Sequence, residues 1–140
     1  MSKGELYISQ LLTNENYIFQ QEKSFNDLRQ GRFKYDFYII NKKDSKNSAI
    51  SFPVLLEFDG RQHFEIVPKY QQSYLDLNKQ KGYDRRKNNY ALANKISLYR
   101  IPYWELENIK YVEDLFNDKF LVKTQFHNDN IWQLHLRKGG

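Results

Sequence analysis

The 140-residue sequence contains no cysteine, and that absence removes disulfide staples, thiolate zinc sites and a cysteine nucleophile together. Any metal must therefore use oxygen or histidine ligands. No apolar run approaches the roughly 20 residues that cross a bilayer, and no signal-like apolar stretch follows the first five residues. The expected setting is cytoplasmic, with no membrane contact. Internal repeats, low-complexity tracts and linkers are also missing, as is any helix-turn-helix or zinc-finger pattern that would read DNA separately. One domain is expected over residues 1–140, with a core at about 2–118 and a C-terminal extension at 119–140 whose structure the pattern does not define.

Ten Phe, eleven Tyr and two Trp are combined with 28% charged residues, the balance of a folded, solvated globule rather than a disordered tail. Basic residues exceed acidic ones by 22 to 17, for a formal charge of +5, which suits a polyanionic partner without requiring one.

Ser2 and Glu5 have capping-box spacing, which predicts a first helix ending near residue 14. Residues 17–25 alternate loosely as a strand. Stronger strand signals follow at 33–40 (FKYDFYII) and 53–59 (PVLLEFD), separated by a polar loop at 41–51 that carries Lys42, Lys43 and Lys46. The Asp59-Gly60 pair predicts a tight turn with positive φ. A long helix is expected over 75–95, weakened at Gly82, then a strand at 96–101 stopped by Pro102 and a short helix at 111–116. Segments 120–122 and 131–134 read equally as edge strands or helical turns. The order implies an α/β (α+β) fold: a mixed central sheet flanked by helices.

Period-two alternation places Asp36 with Tyr38 and Ile40, away from Tyr35, Phe37 and Ile39, and puts Glu57 and Asp59 opposite Val54, Leu56 and Phe58. Two apolar strands thus each carry a carboxylate where packing favours Leu or Val. Such charges cost several kcal/mol unless compensated, and a hard divalent cation compensates them well, since Mg²⁺ commonly takes only one or two carboxylates. The bland alternative is an exposed Asp36 and a structural ion pair from Glu57 to Arg32 or Arg100. His63, just past the turn, could move a proton near neutral pH. His127 and His135 read as surface or packing residues. On the long helix Asp84, Lys87, Asn88 and Ala91 form one stripe, with Lys79, Lys81, Arg85 and Arg86 around it as a basic surface for phosphates.

The succession of Glu5, Asp36, EFDGRQH at 57–63 and GYDRRKNNYA at 82–91 followed by ISLYRIPY resembles Vsr-like nucleases of the PD-(D/E)XK superfamily. It is most similar to the EDxHD group, whose phage-encoded members include homing endonucleases. The resemblance covers about residues 2–103. It implies a restriction-endonuclease-like, Vsr-like core and Mg²⁺-dependent hydrolysis of DNA phosphodiesters, with Mn²⁺ able to substitute. The site would be built from Glu5, Asp36, Glu57, Gln62, His63, Asp84 and Lys87. Asp36 and Glu57 would hold the metal, His63 would act as general base or acid with a limb at about pH 6 to 7.5, and Asp84 would orient it or complete the metal shell. Glu5 would support the site from the first helix.

Gln62 and Lys87 would contact the scissile phosphate, while Arg85 and Arg86, with Lys87, would hold DNA. The superfamily's usual lysine two residues after the second acid is Asp59 here, so its role passes to His63, Gln62 or Lys87. A phage-encoded enzyme would work in host cytoplasm, with any targeting domain outside this chain. Rival readings are a junction, mismatch-repair or restriction nuclease, an RNA-processing nuclease, or a non-catalytic nucleic-acid-binding module.

Overall fold

The computed structural model describes residues 1–43, 50–69 and 73–139. Lys46 of the expected basic loop lies outside them. Helix α1 (Lys3–Asn14) starts where Ser2 Oγ accepts the Glu5 amide at 3.1 Å, and it buries Gly4, Ile8 and Leu12 on one face. Strands β1 (Tyr17–Ser24), β2 (Lys34–Lys42), β3 (Val54–Asp59) and β4 (Ser97–Pro102) form one mixed sheet in the order β1-β2-β3-β4. The first two pairings are antiparallel and β3 runs parallel to β4. A parallel pair needs a crossover, and helix α2 (Tyr74–Ala93) provides it.

The apolar pattern of the strands divides the core. Phe37, Ile39, Val54, Leu56, Tyr99 and Ile101 pack with Ile8 and Leu12 of α1 and with Val112 and Leu115 from a 3₁₀ segment. Leu55 and Leu98 face the other way, against Ala91 of α2. Three of the five buried residues on α2 are Asp84, Lys87 and Asn88. A helix that turns polar groups onto a sheet must satisfy them there, so its inner face belongs to a site more than to a core.

Two expectations change and one open reading is resolved. Gly60 has φ −70°, not a positive value; the chain enters a 3₁₀ turn at Arg61–His63 instead of reversing, because its next pairing is a parallel one reached through α2. Glycine is accommodated there by the Gln62 side chain, whose Oε1 would stand 2.6 Å from a Cβ. Tyr35 leaves the face of Phe37 and Ile39 to join the α2 side. The segment after residue 119 is ordered: Leu121 bridges to Tyr99, and helix α3 (His127–Arg137) contains residues 131–134. No helix among the described residues is long and apolar enough to cross a membrane.

Two glycines should respond oppositely to alanine. At Gly4 a methyl group would come within 2.5–2.7 Å of the Phe58 ring, so Gly4→Ala should destabilise by about 1–3 kcal/mol. At Gly82 it meets nothing within 4 Å, so Gly82→Ala should stabilise by about 0.5–1 kcal/mol. Urea unfolding reads both, and a neutral Gly4→Ala would contradict the α1–β3 contact.

Candidate active site

The site begins where the β2–β3 ladder stops. Regular pairing ends at Phe37 opposite Leu56. Beyond it the Asp36 amide donates to Glu57 Oε1 at 2.8 Å, and the Phe58 amide donates to Asp36 Oδ2 at 2.8 Å. Two carboxylates thus replace ladder carbonyls and are brought side by side. On the other flank, Glu22 lies in β1 between the pairs Gln21–Phe37 and Lys23–Tyr35, and it has φ 54°. The irregularity therefore crosses two strand pairs at the level of Asp36, and it is there that Tyr35 changes face.

Glu57 is 3% exposed. Burial, then the neighbouring Glu57 charge, raises the Asp36 carboxyl to about 8, and Glu5 on α1 adds to the effect. Among the described residues nothing donates to Asp36 Oδ1. Lys87 reaches the same place from α2: its Nζ is 2.9 Å from Glu57 Oε1, donates to the Lys34 carbonyl at 2.6 Å and lies 4.9 Å from the Tyr35 ring centroid. The Tyr35 hydroxyl donates back to the Lys87 carbonyl at 2.8 Å, fixing strand and helix together around the ammonium.

Beside this group stands a second one. His63 Nδ1 is 2.8 Å from Asp84 Oδ2 and 3.6 Å from Asp59 Oδ1. Gln80, one turn before Asp84, places its Nε2 at 3.2 Å from Asp84 Oδ1 and 3.3 Å from His63 Nδ1. Burial alone would lower the imidazole, but the carboxylates of Asp59 and Asp84 outweigh it and raise His63 to about 9. The ring is therefore an imidazolium at neutral pH.

Arg100, with no solvent exposure, anchors the assembly. It donates to both Asp59 oxygens at 2.7 and 3.0 Å, to Asn88 Oδ1 at 2.6 Å and to the Asp84 carbonyl at 3.4 Å. Asn128 of α3 adds a bond to Asp59 Oδ2 at 2.8 Å. Burial would raise the Asp59 carboxyl; the adjacent Arg100, followed by His63, instead holds it below its usual range.

The fold brings Asp36, Glu57, His63, Asp84 and Lys87 together, with Glu5 near enough to act on Asp36 through its charge. Gln62 is folded over Gly60. Arg85 is turned to α3, where Asp129 binds it at 3.0 and 3.1 Å, whereas Arg86 is exposed. The alternative structural pairing of Glu57 gains little from Arg100, whose nearest approach is 4.0 Å, and Arg32 is exposed. Asp84 has its carboxylate taken up by His63, Gln80 and Arg100, which suits orientation of His63 better than a metal shell.

Sequence reasoning assigned no role to Gln80, Asn88 or Asn128 and treated Arg100 only as a possible partner of Glu57. Arg100 carried a usable signal, a charge within an apolar strand. Asn128 carried none. His127 is buried, and burial followed by the Arg100 charge lowers it to about 4. His135 stacks on Trp104 with centroids 3.9 Å apart.

Among the described residues no group of three or more histidine or acidic side chains is disposed to hold a metal. The pair Asp36 and Glu57 alone meets the one or two carboxylates that Mg²⁺ commonly takes from protein. Glu57 is already paired with Lys87 and the Asp36 carboxyl is raised to about 8, so a cation bound here would displace the Asp36 proton.

Removing the buried guanidinium should be severe. Arg100→Met leaves Asp59 and Asp84 without their shared cation, and a loss of about 3–5 kcal/mol is expected. Chemical denaturation checks it, and a loss below about 1 kcal/mol would deny Arg100 its anchoring role. The chain matches no protein-family model, no curated protein and no solved structure.

Proposed function

We propose that the chain is the catalytic domain of a Mg²⁺-dependent DNA endonuclease, Vsr-like in type and nearest in pattern to the EDxHD homing endonucleases. The observation that carries this reading is the break in the β2–β3 ladder, where Asp36 and Glu57 meet side by side with the Lys87 ammonium 2.9 Å from Glu57. Two acids on the central strands β2 and β3 and a lysine from α2, next to a histidine held by an aspartate, form a set suited to phosphodiester hydrolysis.

Asp36 and Glu57 would hold the divalent ion, Mg²⁺ or Mn²⁺. When bound, such an ion supplies Lewis acidity, acidifying water and offsetting charge on the phosphodiester. Lys87, whose ammonium is 2.9 Å from Glu57, would take the role of the missing superfamily lysine and contact the scissile phosphate. Gln62 would add a contact to the scissile phosphate. His63, carried as an imidazolium, serves as a proton donor to the leaving oxygen or as a fixed positive charge beside it; a general base at pH 7 would need a lower pKa. Asp84, itself held by a hydrogen bond from Gln80, keeps the ring in place.

The test is cleavage of supercoiled plasmid, branched DNA and RNA, each with Mg²⁺ and with EDTA. Asp36→Ala and Glu57→Ala should each abolish Mg²⁺-dependent cleavage while leaving DNA binding nearly intact, and full activity in either variant would remove the metal assignment. Binding without cleavage by the unaltered protein would favour a non-catalytic module, and preference for RNA an RNA nuclease.

His63→Ala should slow cleavage by about 10²- to 10⁴-fold. Because the active form is protonated and the group titrates at about 9, the rate should fall as pH rises through that value, not between 6 and 7.5. A pH–rate profile in which His63→Ala keeps this alkaline limb would assign the limb to another group.

A further inference from the structure

The turn before β2 has unusual backbone. Arg29 and Gln30 have φ of 48° and 56°, and Gly31 follows at 77°. Three successive left-handed residues are strained wherever a side chain is present, and glycine or asparagine would relieve the strain. Such outliers persist only where neighbouring structure holds them, and they collect at ligand clamps. Here Leu28 is buried below, and the amides of Gly31 and Arg32 bond back to the carbonyls of Leu28 and Arg29 at 3.1 Å each.

The strained turn has a geometric result. The Arg29 guanidinium is carried back over Phe33 and Tyr83, 5.3 and 5.4 Å from their ring centroids. It borders a shallow, open groove of about 350 Å³ lined also by Leu28 and Phe33 and, from α2, by Arg86, Asn89 and Tyr90. Two arginines and no acid line it. Asp27, on the same turn, is occupied by the Tyr90 hydroxyl at 2.5 Å.

The groove also adjoins the carboxylate site: Phe33 precedes Lys34, whose carbonyl holds Lys87 Nζ, and Tyr83 lies one helical turn before Lys87.

We infer that this groove, between the left-handed turn and α2, binds the phosphodiester backbone of the DNA strand leading away from the cleavage site, with Arg29 and Arg86 as its phosphate contacts. The inference rests on the nuclease reading above. Guanidinium groups suit phosphate oxygens because their planar donors match them in pairs, and stacking on Phe33 and Tyr83 pre-orders Arg29 at little entropic cost. Arg85, one residue away on α2, is paired with Asp129 and faces α3, so the footprint runs toward β2 and not toward the C-terminal helix.

The experiment measures binding to a short DNA duplex in EDTA across a salt series, with plasmid cleavage in Mg²⁺ assayed in parallel. Each phosphate contact adds about one unit to the slope of log K against log salt, so Arg29→Gln and Arg86→Gln should each lower it by about 1 and the pair by about 2. Arg85→Gln should leave it unchanged. Arg29→Gly separates function from folding: relief of the left-handed strain should keep or raise the melting temperature while DNA binding weakens as in Arg29→Gln.

A double variant with the original slope overturns the inference. So does an equal loss from Arg85→Gln, since that would show only a general charge effect. If the unaltered protein cleaves DNA while the double variant binds normally, the groove falls and the nuclease reading stands. If the unaltered protein neither binds nor cleaves, both fall.

Discussion

A guanidinium cannot shed its proton to escape burial, so a fully enclosed arginine is stable only if acceptors surround it. Arg100 imposes that requirement on four elements at once. Its acceptors are Asp59 from β3 and Asn88 and the Asp84 carbonyl from α2, and Asn128 of α3 then completes Asp59. The parallel pairing of β3 and β4, with Glu57 opposite Arg100, sets this geometry. Around this centre Glu57, Asp59 and Asp84 face three cations: Lys87, Arg100 and protonated His63. Asp36 is the carboxylate left over, and burial with the nearby Glu57 charge keeps a proton on it. The balanced part holds the fold together, and Asp36 alone stands outside it.

The same economy explains the strand break. Carbonyls that would have continued the β2–β3 ladder are replaced by Glu57 Oε1 and Asp36 Oδ2, so each carboxylate is positioned by a backbone amide and loses rotamer freedom before any ligand arrives. Preorganisation of this kind makes a two-carboxylate site precise. Its cost is the irregular backbone at Glu22 and the turn of Tyr35 to the opposite face, where the tyrosine hydroxyl is used to fix Lys87.

Helix α3 changes the standing of the C-terminal segment. Asn128 enters the buried polar cluster, Asp129 takes Arg85 out of the basic surface, and Trp132 stacks near the turn that carries His63, through Phe64. The segment closes the site from one side. The basic surface of α2 is consequently divided, with Arg85 inward to α3 and Arg86 outward.

Much of this was legible before the fold. Period two located β2 and β3 and set Asp36 and Glu57 among apolar neighbours; helical spacing put Asp84, Lys87 and Asn88 on one stripe; the Ser2 cap began α1. Local spacing suffices for these because each depends on backbone geometry within a few residues. Spacing could not show that Tyr35 abandons its face, since the ladder break that turns it depends on two side chains 21 residues apart. It could not give Gly60 its extended backbone, which follows from the destination of the chain and not from the Asp-Gly pair. The direction of the His63 shift, the burial of Arg100 and the arrival of Asn128 at Asp59, 69 residues away, were likewise decided by packing. Charge balance in a buried cluster is a property of everything that meets there. Sequence determined which charged side chains stand among apolar neighbours, and tertiary structure alone decided their partners, because electrostatic partnership depends on distance in space and on exclusion of water.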